Sequence, residues 1–234
     1  MKLTRWTTFV LLCMAAVLGA ACVRTTEGVP VAGESGPGVI TSSPPSAPTL
    51  PTQEADQSMY GVVPTLRAPI PPNTATCTQS VKPAVRMTAV VHDPHAPRIT
   101  VGVPDGWSMS AGSDDVGGRL AGPRDMRATI TIIQTGLDPA AAFRKYADEL
   151  MTESAVSSIN VLPGQLCGYS GQKLMGAWSD TPQNAFEYRD RVVHIWTNSG
   201  NNYLVGVHVQ APTDTPGFDP AAVLLTDDFD IVLP

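Results

Sequence analysis

The sequence predicts an α+β domain: an antiparallel sheet with two helices. Three observations carry that prediction. Stretches in which apolar and polar residues alternate recur from Met87 onward, and the turn residues Asn198-Ser199-Gly200-Asn201 separate two of them. The pair Asp-Pro then opens two helical patterns, at Asp138-Pro139 and at Asp219-Pro220.

In chain order, the first element is an address. Lys2 and Arg5 precede an apolar run from Phe9 to Leu18, followed by the small residues Gly19 to Ala21 and then Cys22. Residues 1–21 have the form of a secretory signal peptide, and the apolar run falls short of the ~20 residues a membrane-spanning helix needs. Small residues directly before a cysteine resemble a bacterial lipoprotein signal, in which that cysteine receives the lipid and becomes residue one. Gly19 stands where that signal usually has leucine. Lipidation at Cys22 would hold the chain at the outer face of the plasma membrane through a diacylglyceryl-cysteine. The alternative is ordinary cleavage near Ala20 and release as a secreted protein.

Residues 22–76 read as a Pro/Ser/Gly-rich flexible linker, disordered in character: Val23 to Pro72 holds ten prolines and no Phe or Trp. Partial polyproline II structure would make it a spacer of about 100 Å or more at ~3.1 Å per residue. A single domain then occupies residues 77–234, long enough for a sizeable core.

Within it, strands are expected at Met87–Val91, Arg98–Val103 and Ala128–Gln134. A helix follows Asp138-Pro139, with Ala142, Phe143, Tyr146, Leu150 and Met151 at helical spacing. Pro163-Gly164 reads as a break, and Gly168, Gly171 and Gly176 as bends in a strand region from Gln165 to Trp178. Glu187–Trp196 and Tyr203–Gln210 form a long hairpin. The segment Ala111 to Pro123 reads as a glycine-rich loop, and Phe229, Ile231 and Leu233 alternate in a short closing strand.

Composition narrows the function classes. A net charge of −6 argues against a nucleic-acid binder. Of four cysteines, Cys13 leaves with the signal and Cys22 takes the lipid, so Cys77 and Cys167 remain for an internal bridge, which export favours. Two free thiols or a catalytic cysteine are the competing readings.

The candidate chemistry is thin. His92-Asp93-Pro94-His95 matches no structural zinc spacing, and Asp114-Asp115 and Asp227-Asp228-x-Asp230 match no EF-hand. His194 and His208 lie on opposite arms of the hairpin, where pairing centred on Asn201 would bring them together. Ser170-Gly171-Gln172-Lys173 fits S-x-x-K but sits in a strand region without the partner motifs. No catalytic, metal or cofactor residue is assigned. Trp107, Trp178, Trp196 and Tyr203 are candidate walls of a groove, or ordinary core.

Several of these residues together resemble the LpqN-type lipoproteins of mycobacteria: Ile99-x-Val101-x-Val103-Pro104-x-Gly106-Trp107, the Asp138-Pro139 helix, Leu162-Pro163-Gly164 with Gly168-x-x-Gly171, the hairpin through Tyr203, and Phe218-Asp219-Pro220. The resemblance implies a Mog1/PsbP-like fold, an antiparallel sheet sandwiched by helices. It also implies a non-enzymatic envelope accessory protein with a lipid, glycolipid or protein partner. A tethered or secreted protein-interaction module is the alternative, and an unrecognised hydrolase the least supported reading.

Overall fold

The structure, a computed structural model, describes residues 62–80, 83–152, 154–181 and 184–234. The signal peptide, Cys22 and most of the expected tether lie outside the described residues.

Alternation builds the largest element. In β6 (Arg127–Thr135) Ala128, Ile130 and Ile132 are buried, and in β10 (Asn202–Pro212) Tyr203, Val205, Val207 and Val209 are. β10 pairs with β6 on one side and with β9 (Asn184–Trp196) on the other, so these rows share one inner face with Val193 and Ile195. β8 (Tyr169–Thr181) and β7 (Val156–Leu166) extend this sheet on one side. β5 (Val116–Ala121) and β4 (Ser108–Ala111) extend it on the other, in the order β4-β5-β6-β10-β9-β8-β7, all antiparallel.

The sequence suggested one sheet; the described residues form two. β1 (Ala75–Cys77), β11 (Asp230–Val232), β3 (Arg98–Gly102) and β2 (Arg86–Ala89) make a second sheet in the order β1-β11-β3-β2. Its Ile99, Val101, Ile231 and Met87 pack with the inner face of the large sheet, joined there by Phe218, Ala222 and Leu225 of α2 (Phe218–Thr226). The opposite, outer face packs against α1 (Pro139–Thr152), whose Ala142 and Phe143 meet Leu174, Val192 and Leu204. No helix among the described residues is long and apolar enough to cross a membrane.

Three local expectations are corrected. The expected loop at Ala111–Pro123 contains the whole of β5, because the glycines there serve close approach. A Cβ on Gly117 would lie 3.1 Å from Ala89 Cβ, and one on Gly118 would lie 2.2 Å from Met87 Cε. Pro163-Gly164 does not interrupt β7, which is an edge strand; half its N–H groups face no neighbour, so a residue without one is tolerated. α2 starts at Phe218, one residue ahead of the Asp219-Pro220 signal, with Gly217 at φ +90° as its N-cap. Burial of Phe218 draws the chain inward, while the Asp219 carboxylate pairs with Arg189 at 2.5 Å.

The β7–β8 connection is two residues, Cys167 (φ +50°) and Gly168 (φ +83°), so both central positions have the positive φ of a primed hairpin turn. Cys167 is disulfide-bonded to Cys77 beside β11, with Cα atoms 5.1 Å apart, which ties the edge of one sheet to a turn of the other.

The end of the expected linker belongs to the domain. The Val63 amide donates to Ser170 Oγ (3.2 Å), Gln165 Nε2 to the Pro64 carbonyl (3.1 Å), and the Ile70 amide to Asn198 Oδ1 (3.1 Å). Residues 62–70 therefore strap across the large sheet, and Val62 joins the cluster beneath α1.

Candidate ligand-binding face

α1 covers only part of the outer face. The part it leaves open begins at Asp190 on β9, whose carboxylate is fully buried. Asp190 Oδ2 accepts from the Tyr146 hydroxyl of α1 at 2.9 Å, and Oδ1 faces His208 Nδ1 at 2.7 Å. His208 Nε2 lies 3.2 Å from Gln210 Oε1. Each ring nitrogen of His208 therefore has a partner within the protein. Asp190 thus holds the helix and orients an imidazole toward the open face. Tyr188, beside it, donates to the Ser158 carbonyl at 3.0 Å. Burial, and next the charge of Asp190, push its hydroxyl pKa up to about 12, so it stays neutral.

Beyond His208 the polar rows of β4, β5, β6 and β10 form a hollow of about 440 Å³ that includes Ser110, Arg119, Arg127, Thr129, His208 and Gln210. Arg127 and Gln210 also border an adjoining hollow of about 500 Å³ with Trp178, Phe186 and Pro212. There the Trp178 and Phe186 rings stack at 4.5 Å and 11°. Asp125 is the acid at this second rim. The larger hollow along α1 (about 520 Å³) is lined by the helix's own charged surface, including the Lys145–Glu149 pair.

The residues singled out from sequence are dispersed. Trp196 and Tyr203 belong to the inner core, Trp107 is half-buried at its edge, and only Trp178 reaches the open face. His194 and His208 do not meet: His194 is opposite Leu204, and His208 is opposite Asp190. Ser170 and Lys173 lie three apart on a strand and so face opposite sides of the sheet. Ser170 is taken by Val63 and Lys173 pairs with Asp227 at 2.5 Å.

Asp93 spends both oxygens, accepting from the Tyr203 hydroxyl (2.6 Å) and the His95 amide (2.8 Å). Asp228 holds Ser80, and Asp230 holds Arg86 and the Gln79 amide. Among the described residues, no three His, Cys, Asp or Glu side chains gather as for a metal ion.

Asp190, Tyr146, Arg119, Arg127 and Gln210 escaped the sequence reading. The signal was present in the alternation: Arg127-x-Thr129-x-Thr131 and His208-x-Gln210 are polar rows on strands whose other rows are apolar.

The buried His194 sets a pH dependence. Its Nε2 lies 3.0 Å from the Leu137 carbonyl, and burial, the larger influence, holds its pKa below the ordinary value. The Tyr203 hydroxyl, then the His95 amide, likewise hold Asp93 low. Each group has a folded pKa below its unfolded one, so each contributes stability above its unfolded pKa that is lost as pH falls. Urea midpoints should drop between about pH 7 and about pH 5 through His194, with the Asp93 loss following below about pH 4. A His194→Gln variant should flatten the first step; an unchanged pH profile in that variant would assign the step to another group.

No family model and no curated protein matches the chain. Among the solved structures similar to it in fold are these two. One is the crystal structure of LpqN, involved in cell envelope biogenesis of Mycobacterium tuberculosis, at 21% identity over 63% of this chain and 91% of that one, with a TM-score of 0.49. The other is the solution structure of cyanobacterial PsbP (CyanoP) from Synechocystis sp. PCC 6803, at 15% identity over 63% of this chain and 95% of that one, with a TM-score of 0.38.

Proposed function

We propose that this chain is an exported, non-enzymatic envelope lipoprotein, anchored through Cys22, that binds a lipid or glycolipid on the outer face of its large sheet. The observation that carries this reading is the open half of that face, where a polar hollow adjoins an aromatic one. The Cys77–Cys167 bond suits an oxidising compartment, in keeping with the signal peptide read from residues 1–21. His208 has both ring nitrogens engaged by Asp190 and Gln210, an arrangement that leaves neither to shuttle a proton.

Expression of the intact gene in a mycobacterial host, followed by native and denaturing mass spectrometry of membrane and culture fluid, tests the reading. An acylated species beginning at Cys22 with a lipid released on denaturation is expected. An unacylated, ligand-free protein would overturn it.

That second outcome would favour a protein-interaction module, for which β7 supplies its own observation. It is an eleven-residue edge strand without a charged residue, and its Val156 and Leu162 are exposed.

A further inference from the structure

Arg119 and Arg127 are the two arginines whose placement the fold does not account for. Among the described residues the other basic side chains are engaged: Arg86, Lys145, Lys173 and Arg189 in ion pairs, and Arg67, Arg98, Arg124 and Arg191 in hydrogen bonds. Arg144 has an interaction of its own as well. Arg119 and Arg127 have neither, in a chain whose net charge is −6.

They are also neighbours. Arg119 is opposite Thr129 across β5 and β6, and Arg127 lies two residues from Thr129 on the same face, a diagonal of roughly 7–8 Å. Two like charges at that spacing repel unless an anion lies between them. The imidazole of His208, held in place by the buried Asp190, borders the same hollow. No acid lines this hollow: Asp190 behind it is engaged by Tyr146 and His208, and Asp125 lines the adjoining hollow with Arg127.

The donors around this point are two guanidinium groups and the hydroxyls of Ser110 and Thr129. A carboxylate offers two oxygens, whereas a phosphate offers several and matches such a set from more directions. Arg127 and Gln210 then lead to the Trp178–Phe186 wall, a surface suited to the apolar side of a ring that also bears hydroxyls.

We infer that the open face takes the phosphate-bearing sugar or polyol head group of a membrane lipid, its phosphate on Arg119 and Arg127 and its ring against Trp178 and Phe186. This rests on the lipid-binding reading above and narrows it to one head-group class.

The test uses the full chain carrying Cys22→Ser, exported so that it oxidises, so that no acyl chain of its own draws it to a membrane. Co-sedimentation is measured with phosphatidylcholine vesicles containing a minor fraction of phosphatidylinositol, of phosphatidylglycerol or of a neutral glycosyl diacylglycerol. Retention on phosphatidylinositol vesicles is expected to exceed that on phosphatidylglycerol vesicles by about tenfold. Arg119→Gln with Arg127→Gln should abolish it, and Arg98→Gln, on the other sheet, should leave it intact. Trp178→Ala should weaken it by about three- to tenfold. Thermal melts confirm that each variant is folded.

Equal retention on phosphatidylglycerol overturns the head-group assignment. Retention on the neutral glycolipid that ignores the arginine changes overturns the inference while leaving lipid binding standing. Capture of free inositol phosphate without vesicle retention overturns the lipid source, and no binding to any vesicle overturns both readings.

Discussion

Replacing Cys77 and Cys167 together by alanine is expected to lower domain stability by about 4 kcal/mol, on the chain-entropy account of a long closed loop. The residues are 90 apart in sequence, so the bond restrains much of the unfolded chain. The native contribution is local and equally specific: the bond joins β1, an edge strand of three residues, to the turn between β7 and β8. Without it β1 is held by its pairing with β11 and by the Tyr169 hydroxyl, which donates to Thr76 Oγ1. Urea denaturation of the oxidised protein, the reduced protein and the double variant checks this. Equal midpoints for all three would show that the bond restrains nothing the fold does not already hold.

Phe143→Ala is expected to cost about 3–5 kcal/mol, the range for emptying a fully buried aromatic site. Phe143 is 1% exposed and packs with Leu174, Val192 and Leu204, the principal apolar contact between α1 and the sheet. A fourteen-residue helix has little stability of its own in water, so loss of this contact should appear as lost helical signal as well as a lower urea midpoint. Far-UV circular dichroism at moderate urea separates the outcomes. Helix signal vanishing before the sheet unfolds is the expected result; a single unchanged transition would place α1's stability elsewhere, with Tyr146–Asp190 the next contact to remove.

The legible regions of the sequence were those fixed by neighbours. β6 and the β9–β10 hairpin announce themselves through alternation and the Asn198–Asn201 turn, and α1 begins at Asp138, whose carboxylate accepts the Ala141 amide at 2.9 Å. β2, β3 and the alternation at β11 were legible too, but not that they form a separate sheet, because that sheet is closed by β1, a three-residue strand with no period that pairs with β11 across some 150 residues. The Cys167-Gly168 turn was hidden because a cysteine at positive φ is no turn signal; only its bond to Cys77 and the following glycine hold it there.

The candidate site was less legible still. Arg119 and Arg127 are isolated charges in the sequence, and their meeting depends on register. The irregularity between Val116 and Gly118 sets which residues of β5 look outward. A shift of one residue would turn Arg119 into the core and Leu120 out of it. The glycines that blurred β5 as a strand thus help to place its arginine.

The strap over residues 62–70 and the Cys77–Cys167 bond act in series on any tension entering the domain at Val62. The pull first meets the hydrogen bonds at Val63, Pro64 and Ile70, which give way in succession, as a seam peels. It then meets a covalent bond, and beyond Cys77 the load passes to the β7–β8 turn and is spread along the two longest hydrogen-bonded pairings beside it. Peeling therefore stops at Cys77: the strap yields and takes up slack ahead of the covalent bond.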